Sequence, residues 1–140
     1  MEELRFRGFS SSIGWVYGYA WKGLNDWWYI KHIVNHGNGS KSLEDVPVET
    51  ESVAMFSGHN DKNGVEIYDG SICERNGHRR VIVYHKSAFY CLPTKKGETD
   101  IDHIKSIHNG WFLANFLTDI VVIGSVFENP ELIEDYAKKV

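Results

Sequence analysis

Asp61, Asn63, Glu66 and Asp69 crowd around Gly64, and side-chain oxygens gathered about a glycine are the raw material of a calcium loop. Placing Gly64 at the obligatory glycine of such a loop puts His59 at the first ligand position and Gly70 at the twelfth. Both positions need acids, so the pattern fails where it matters most. Asp61 and Asn63 are instead expected to organise a turn through their own side chains. The seven histidines raise a second metal hypothesis. His103 and His108 have the wrong spacing for one helical face, and no histidine pair accompanies a cysteine pair. His59, His78 and His85 therefore read as scattered turn or surface groups, and neither a metal nor a cofactor is expected. Cys73 and Cys91 lack any redox or nucleophile signature and read as buried strand residues. Glu128 and Glu131 flank a helix start, where dipole electrostatics explain them. With no nucleophile elbow, phosphate loop or dinucleotide fingerprint, the chain reads as a non-enzyme.

Two clusters remain as candidates for recognition. Arg75, Arg79, Arg80 and Lys86 surround a hairpin that also carries His78, Tyr84 and His85, which makes a candidate nucleic-acid or partner surface. Trp15, Trp21, Trp27 and Trp28 crowd two short segments near the N-terminus. That exceeds what two strands can hide alone and marks a candidate oligomer interface.

Composition bounds these readings. The 140 residues suit one compact domain, and five Trp, seven Tyr and seven Phe supply apolar area without disulfides. A net charge of −4 argues against broad nucleic-acid binding, so a homo-oligomer or a host protein is the favoured partner. No apolar run approaches the ~20 residues of a membrane helix. The N-terminus has no leader-like apolar core, and the expected location is the cytoplasm of a bacterial host.

The elements that must position these clusters are mostly strands. Leu4–Phe9, Trp15–Trp21 and Trp27–Val34 have strand character, the last two forming an aromatic hairpin with Gly18 at a bulge or close approach. Asn35–Leu43 is polar and Gly/Ser-rich. It divides an N-terminal assembly element (1–45) from the remainder (46–140). Asn63-Gly64, Asp69-Gly70 and Asn76-Gly77 are turn signals between short strands, Asn63-Gly64 favouring a type I′ turn. Arg80–His85 and Ala88–Leu92 are strands joined at Lys86-Ser87. Ile101–Ile107 is ambiguous between helix and strand, Trp111–Leu117 is a buried helical turn or two, and Ile120–Phe127 is a strand bent at Gly124. Asn129 as N-cap, Pro130 at the first helical position and Leu132, Ile133, Tyr136 and Ala137 as the buried stripe predict a C-terminal helix.

Asp61-Lys62-Asn63-Gly64-Val65-Glu66-Ile67-Tyr68-Asp69-Gly70-Ser71-Ile72, with Thr50 and Gly58 upstream, resembles the central motif of the YopX family of small bacteriophage and prophage proteins. Val122-Ile123-Gly124-Ser125-Val126-Phe127-Glu128-Asn129-Pro130-Glu131-Leu132 is similar to that family's ending, and Leu4–Arg7 more weakly to its first strand. Ser57, Ser71 and Ser125 depart from the usual Thr, Asp and Asn, and Gly8–Leu43 matches poorly. The resemblance implies ancestry and architecture, with no activity to carry over. The expected fold is mainly β. A small SH3-like barrel runs from about Val48 to Leu92 and is completed by Ile120–Phe127, with an N-terminal aromatic hairpin and a short C-terminal helix. The expected role is that of a self-associating accessory protein of a phage or prophage. The alternative is single-stranded nucleic-acid binding by the Arg75–Lys86 hairpin.

Overall fold

A computed structural model describes residues 5–94 and 112–133. The fold is mainly β, with two antiparallel sheets. Among the described residues the only helical pieces are short 3-10 turns at Thr50–Ser52, Leu113–Asn115 and Pro130–Ile133. Two compact units divide between Phe56 and Ser57. The sequence-based boundary at 45/46 falls inside a strand of the first unit.

The first unit is a meander of β1 (Phe6–Ser10), β2 (Gly14–Lys22), β3 (Trp28–Asn35) and β4 (Lys41–Val48), followed by the start of β5 (Ala54–Asn60). The Trp15–Trp21 and Trp27–Val34 segments form the expected hairpin, with Ala20 opposite Ile30. The strand order is β4-β3-β2-β1-β5. The segment after β4 returns to the edge of β1 opposite β2, ahead of β5, where the Glu49 amide donates to the Phe9 carbonyl at 2.8 Å. The buried Ser52 hydroxyl then accepts from the Phe9 amide at 2.7 Å. This curling encloses Val16, Ile30, Val46 and Val48. Two glycines permit it. A Cβ on Gly8 would press to 2.7 Å on Val48 Cγ2, and one on Gly18 would land on the Lys31 carbonyl oxygen, the close approach expected there.

The second unit holds the remainder of β5 and β6 (Glu66–Tyr68), together with a four-stranded sheet. That sheet is built from β7 (Ser71–Arg75), β8 (His78–His85), β9 (Ala88–Pro93) and β10 (Val121–Ser125), in the order β10-β7-β8-β9. Tight turns set its register. Asn76 and Gly77 (φ 51° and 80°) join β7 to β8, and Lys86 and Ser87 (φ 47° and 69°) join β8 to β9. Both have the paired positive φ of a type I′ hairpin. Asn63-Gly64 does not, because only Gly64 has positive φ (84°). There the Gly64 amide donates to the Asp61 carbonyl at 3.0 Å and the Asp61 amide to the Val65 carbonyl at 2.8 Å. The loop is a type I turn closed by a left-handed glycine.

The expected SH3-like barrel is not formed: β7 to β10 make an open sheet. Alternation along the strands explains this. Cys73, Ile82 and Cys91 face one core with Ile67, Leu113, Phe116 and Ile120, while Ile72 and Val81 face another with Ile133. A sheet that is apolar on both faces is stable as a covered layer and has no need to roll shut. Its β9 edge meets Phe112 through a bridge at Tyr90.

Among the described residues the expected C-terminal helix is represented by the 3-10 turn Pro130–Ile133; the rest of that segment, with Tyr136 and Ala137, lies outside them. Asn129 is turned the other way from an N-cap. Its Oδ1 accepts from the Ser125 amide behind it at 3.2 Å. Gly124 leaves room for that side chain beside the bulge in β10. Ile101–Ile107, His103 and His108 also lie outside the described residues.

Candidate functional site

Asp61 accepts from three backbone amides, and its role is structural. At 5% exposure it is nearly buried. Its Oδ1 accepts from the Asn63 and Val65 amides at 2.8 and 2.9 Å, and its Oδ2 accepts from the Val122 amide at 2.8 Å. Asp69 acts similarly, its Oδ1 accepting from the Tyr84 amide at 2.9 Å. Among the described residues, no group of three or more His, Cys, Asp or Glu side chains could hold a metal ion.

The cysteines are shielded. Burial, reinforced by the nearby Cys91 and Asp61, pushes the Cys73 thiol up to about 12. Burial likewise pushes Cys91 up to about 11, against the pull of the Arg80 and Arg75 charges. Neither supplies a thiolate at neutral pH.

The basic hairpin does not present four cations together. Arg75 pairs with Asp119 at 3.3 Å, and Arg79 donates to the Leu132 carbonyl at 3.0 Å. Arg80 donates to the Cys91 carbonyl at 3.3 Å. Arg75 and Arg80 both lie over the Phe116 ring, at 5.2 and 4.8 Å from its centroid. These contacts fasten the Leu113–Asn115 turn and the Pro130–Ile133 turn to the sheet. Lys86 sits in the turn at the other end of β8.

The four tryptophans divide differently. Trp28 packs against the enclosed core of the first unit. Trp15 lies edge-on to Phe9 with the Arg7 guanidinium 4.3 Å from its ring centroid. Trp21 stacks on Tyr29 at 4.7 Å, and its Nε1 donates to Asp45 Oδ1 at 2.9 Å. Lys31 pairs with the same carboxylate at 3.0 Å. The Trp21 and Lys31 hydrogen bonds hold the Asp45 carboxyl below the ordinary value of 3.8. Trp27 is 56% exposed in the tip between β2 and β3, beside the fully exposed Leu24.

That tip is well braced. The Gly23 amide donates to the Trp27 carbonyl at 2.8 Å and the Asp26 amide to the Gly23 carbonyl at 3.0 Å. Asn25 Oδ1 accepts from the Trp27 amide at 3.1 Å, and Asn25 Nδ2 donates to the Tyr29 hydroxyl at 3.0 Å.

Sequence reasoning missed the outer face of β2. Trp15, Tyr17, Tyr19 and Trp21 alternate with Val16, Gly18 and Ala20, so the large rings share one side. Tyr17 and Tyr19 are 44% and 53% exposed. The register sets Arg7 opposite Tyr17 and Lys31 opposite Tyr19. A groove of about 350 Å³ runs along this face, lined by Arg5, Tyr17, Tyr19, Lys31, Ile33 and Leu43 among others. The period-two alternation was visible in the sequence. Which side would be covered was not.

Fold and surfaces together define an all-antiparallel β protein that carries a rigid exposed hairpin tip and an aromatic sheet face. The chain belongs to the YopX family, whose model, described as YopX protein, matches residues 6–134. The crystal structure of protein EF1440 from Enterococcus faecalis is similar to it at 20% identity and a TM-score of 0.54, covering 96% of this chain and 100% of that one. At that identity the likeness concerns the fold alone. No curated protein matches the chain. Two departures from the family pattern, Ser71 and Ser125, face one another across the β7–β10 pairing, and both are buried.

Proposed function

We propose that this chain is a non-enzymatic accessory protein of a bacteriophage or prophage, acting in the bacterial cytoplasm and self-associating through its N-terminal unit. The observation that carries this reading is the hairpin tip, where hydrogen bonds hold Leu24 and Trp27 out in solvent. A side chain fixed in an exposed position loses little conformational freedom on docking, so a rigid apolar tip makes an efficient anchor. Family membership supports the phage or prophage origin. The second partner class is a host protein docking on the same tip.

Single-stranded nucleic-acid binding by the Arg75–Lys86 hairpin has less support, since Arg75, Arg79 and Arg80 are each engaged within the second unit.

Sedimentation velocity across a range of concentrations tests the reading. The protein should shift to larger species as concentration rises, and Leu24→Asp with Trp27→Ser should return it to monomer at unchanged melting temperature. A protein that stays monomeric throughout defeats the self-association.

A further inference from the structure

We infer that the tip between β2 and β3 docks, in a second copy of this chain, into the groove on the outer face of β2 and β3. Tyr17, Tyr19, Ile33 and Leu43 form the receiving surface. The inference rests on the self-association through Leu24 and Trp27 proposed above and names the surface those side chains meet.

Strand alternation builds the groove. Tyr17 and Tyr19 share one side of β2, and Ile33 stands opposite Leu43 in the β3–β4 pairing. Lys31 lies opposite Tyr19, and Ile33 follows it on the same face. The four apolar side chains line a groove of about 350 Å³. That volume falls within the ~300–1,000 Å³ of clefts that hold compact apolar groups. Ile33 and Leu43 are 62% and 63% exposed, so two aliphatic neighbours stand side by side in water. A contiguous apolar patch of this kind marks an interaction site.

The occupant must come from another molecule. The hairpin is paired from Tyr19–Lys31 to Lys22–Trp28. At ~3.3 Å per residue the groove and the tip lie about 20 Å apart on that ribbon, too far for a tip to reach its own groove. A second copy supplies both halves at once, since each chain carries one tip and one groove. The area suits a dimer. At ~200 Å² per aromatic residue, Tyr17, Tyr19, Trp21 and Trp27 leave roughly 400 Å² in water. Leu24, Ile33 and Leu43 bring the apolar total toward the ~800 Å² per partner of a stable interface. The charged groups beside the groove are already engaged, Lys31 with Asp45 at 3.0 Å and Arg5 over the Phe56 ring at 4.6 Å. An apolar occupant therefore meets their aliphatic stems and breaks no ion pair.

The test is sedimentation velocity on the full chain, on two variants and on their mixture. Leu24→Asp with Trp27→Ser removes the tip and keeps the groove. Ile33→Glu with Leu43→Thr spoils the groove and keeps the tip. Each alone should associate at least about tenfold more weakly than wild type. The equimolar mixture should form a heterodimer, because the tip of one chain meets the intact groove of the other. If the groove variant melts below wild type, Ile33→Thr with Leu43→Thr keeps β-branched side chains in the strands and should show the same loss and the same rescue. The inference is overturned if the groove variants associate like wild type while the tip variant is monomeric, or if the mixture stays monomeric. Either result leaves the tip an anchor on some other surface. A wild-type chain that is monomeric throughout, or a tip variant that associates like wild type, overturns the underlying self-association reading as well.

Discussion

The two units handle the same problem, an antiparallel sheet with two faces, in opposite ways. In the second unit both faces of the β7–β10 sheet are covered, and even its arginines are drawn into fastening those covers. In the first unit one face curls around Val16, Ile30, Val46 and Val48 while the other keeps large rings in water. A sheet with no uncovered face has little left with which to recognise anything. A half-covered sheet retains apolar area and oriented charge, and the proposed interactions are therefore placed on the first unit. Charge counts alone point elsewhere, because arginines near a hairpin are as readily structural as ligand-binding.

Substitutions can break or sharpen this contrast. The largest effect is expected at Asp61, which serves three backbone amides from a nearly buried position. Asp61→Ala should destabilise the second unit by about 3 kcal/mol in denaturant unfolding, since charge-assisted bonds are lost and amides are left unpaired. A loss below about 1 kcal/mol would mean the second unit does not depend on this connection. In the first unit, Gly18→Ala drives a methyl group onto the Lys31 carbonyl and should cost about 2 kcal/mol, read as a lowered melting temperature. A neutral outcome would show that the curl is slack. Asn129→Ala removes the acceptor for the Ser125 amide and should cost about 1 kcal/mol. Asn129→Ser should recover little of this loss, because the contact runs back to β10 and is not a helix cap.

The smallest effect concerns pH. The Asp45 carboxyl is held below 3.8 by its hydrogen bonds to Trp21 and Lys31, so whatever stability it adds is complete above its ordinary value and is lost as pH falls through the lower, folded one. The indole N–H resonance of Trp21 should therefore stay constant down to about pH 4 and move below it. Movement centred near neutral pH would place another group on that contact. At the alkaline end the sign reverses. Cys73 and Cys91 hold their protons in the folded chain to about 12 and about 11. Stability should fall as pH rises above the unfolded thiol range near ~8.5, whereas the thiols of the folded chain should resist alkylation up to about pH 11.

Much of the second unit was legible because local chemistry decides it. Asn76-Gly77 needs only its two residues to specify a reversal, and Lys86-Ser87 reverses the chain between two evident strands despite lacking a glycine. What was not legible depends on distant partners. The Asn63-Gly64 turn takes its form from Asp61, whose second oxygen is held by Val122. Asn129 has the right type and position for a cap, yet Gly124 opens a nearer site behind it. The arginines of the hairpin read as a surface because Asp119, Phe116 and Leu132 lie far from them in sequence. In the first unit the alternation of β2 was plain, but nothing in it says that the side with larger rings would be the one left in solvent.

The bond from Val122 to Asp61 links positions 61 apart in the chain. During synthesis the earlier residue leaves the ribosome long before the later one, so the motif's central loop must wait with one carboxylate oxygen still bound to water. The last strand thus acts as a late latch, and nascent chains stopped short of it should remain open to chaperones and proteases.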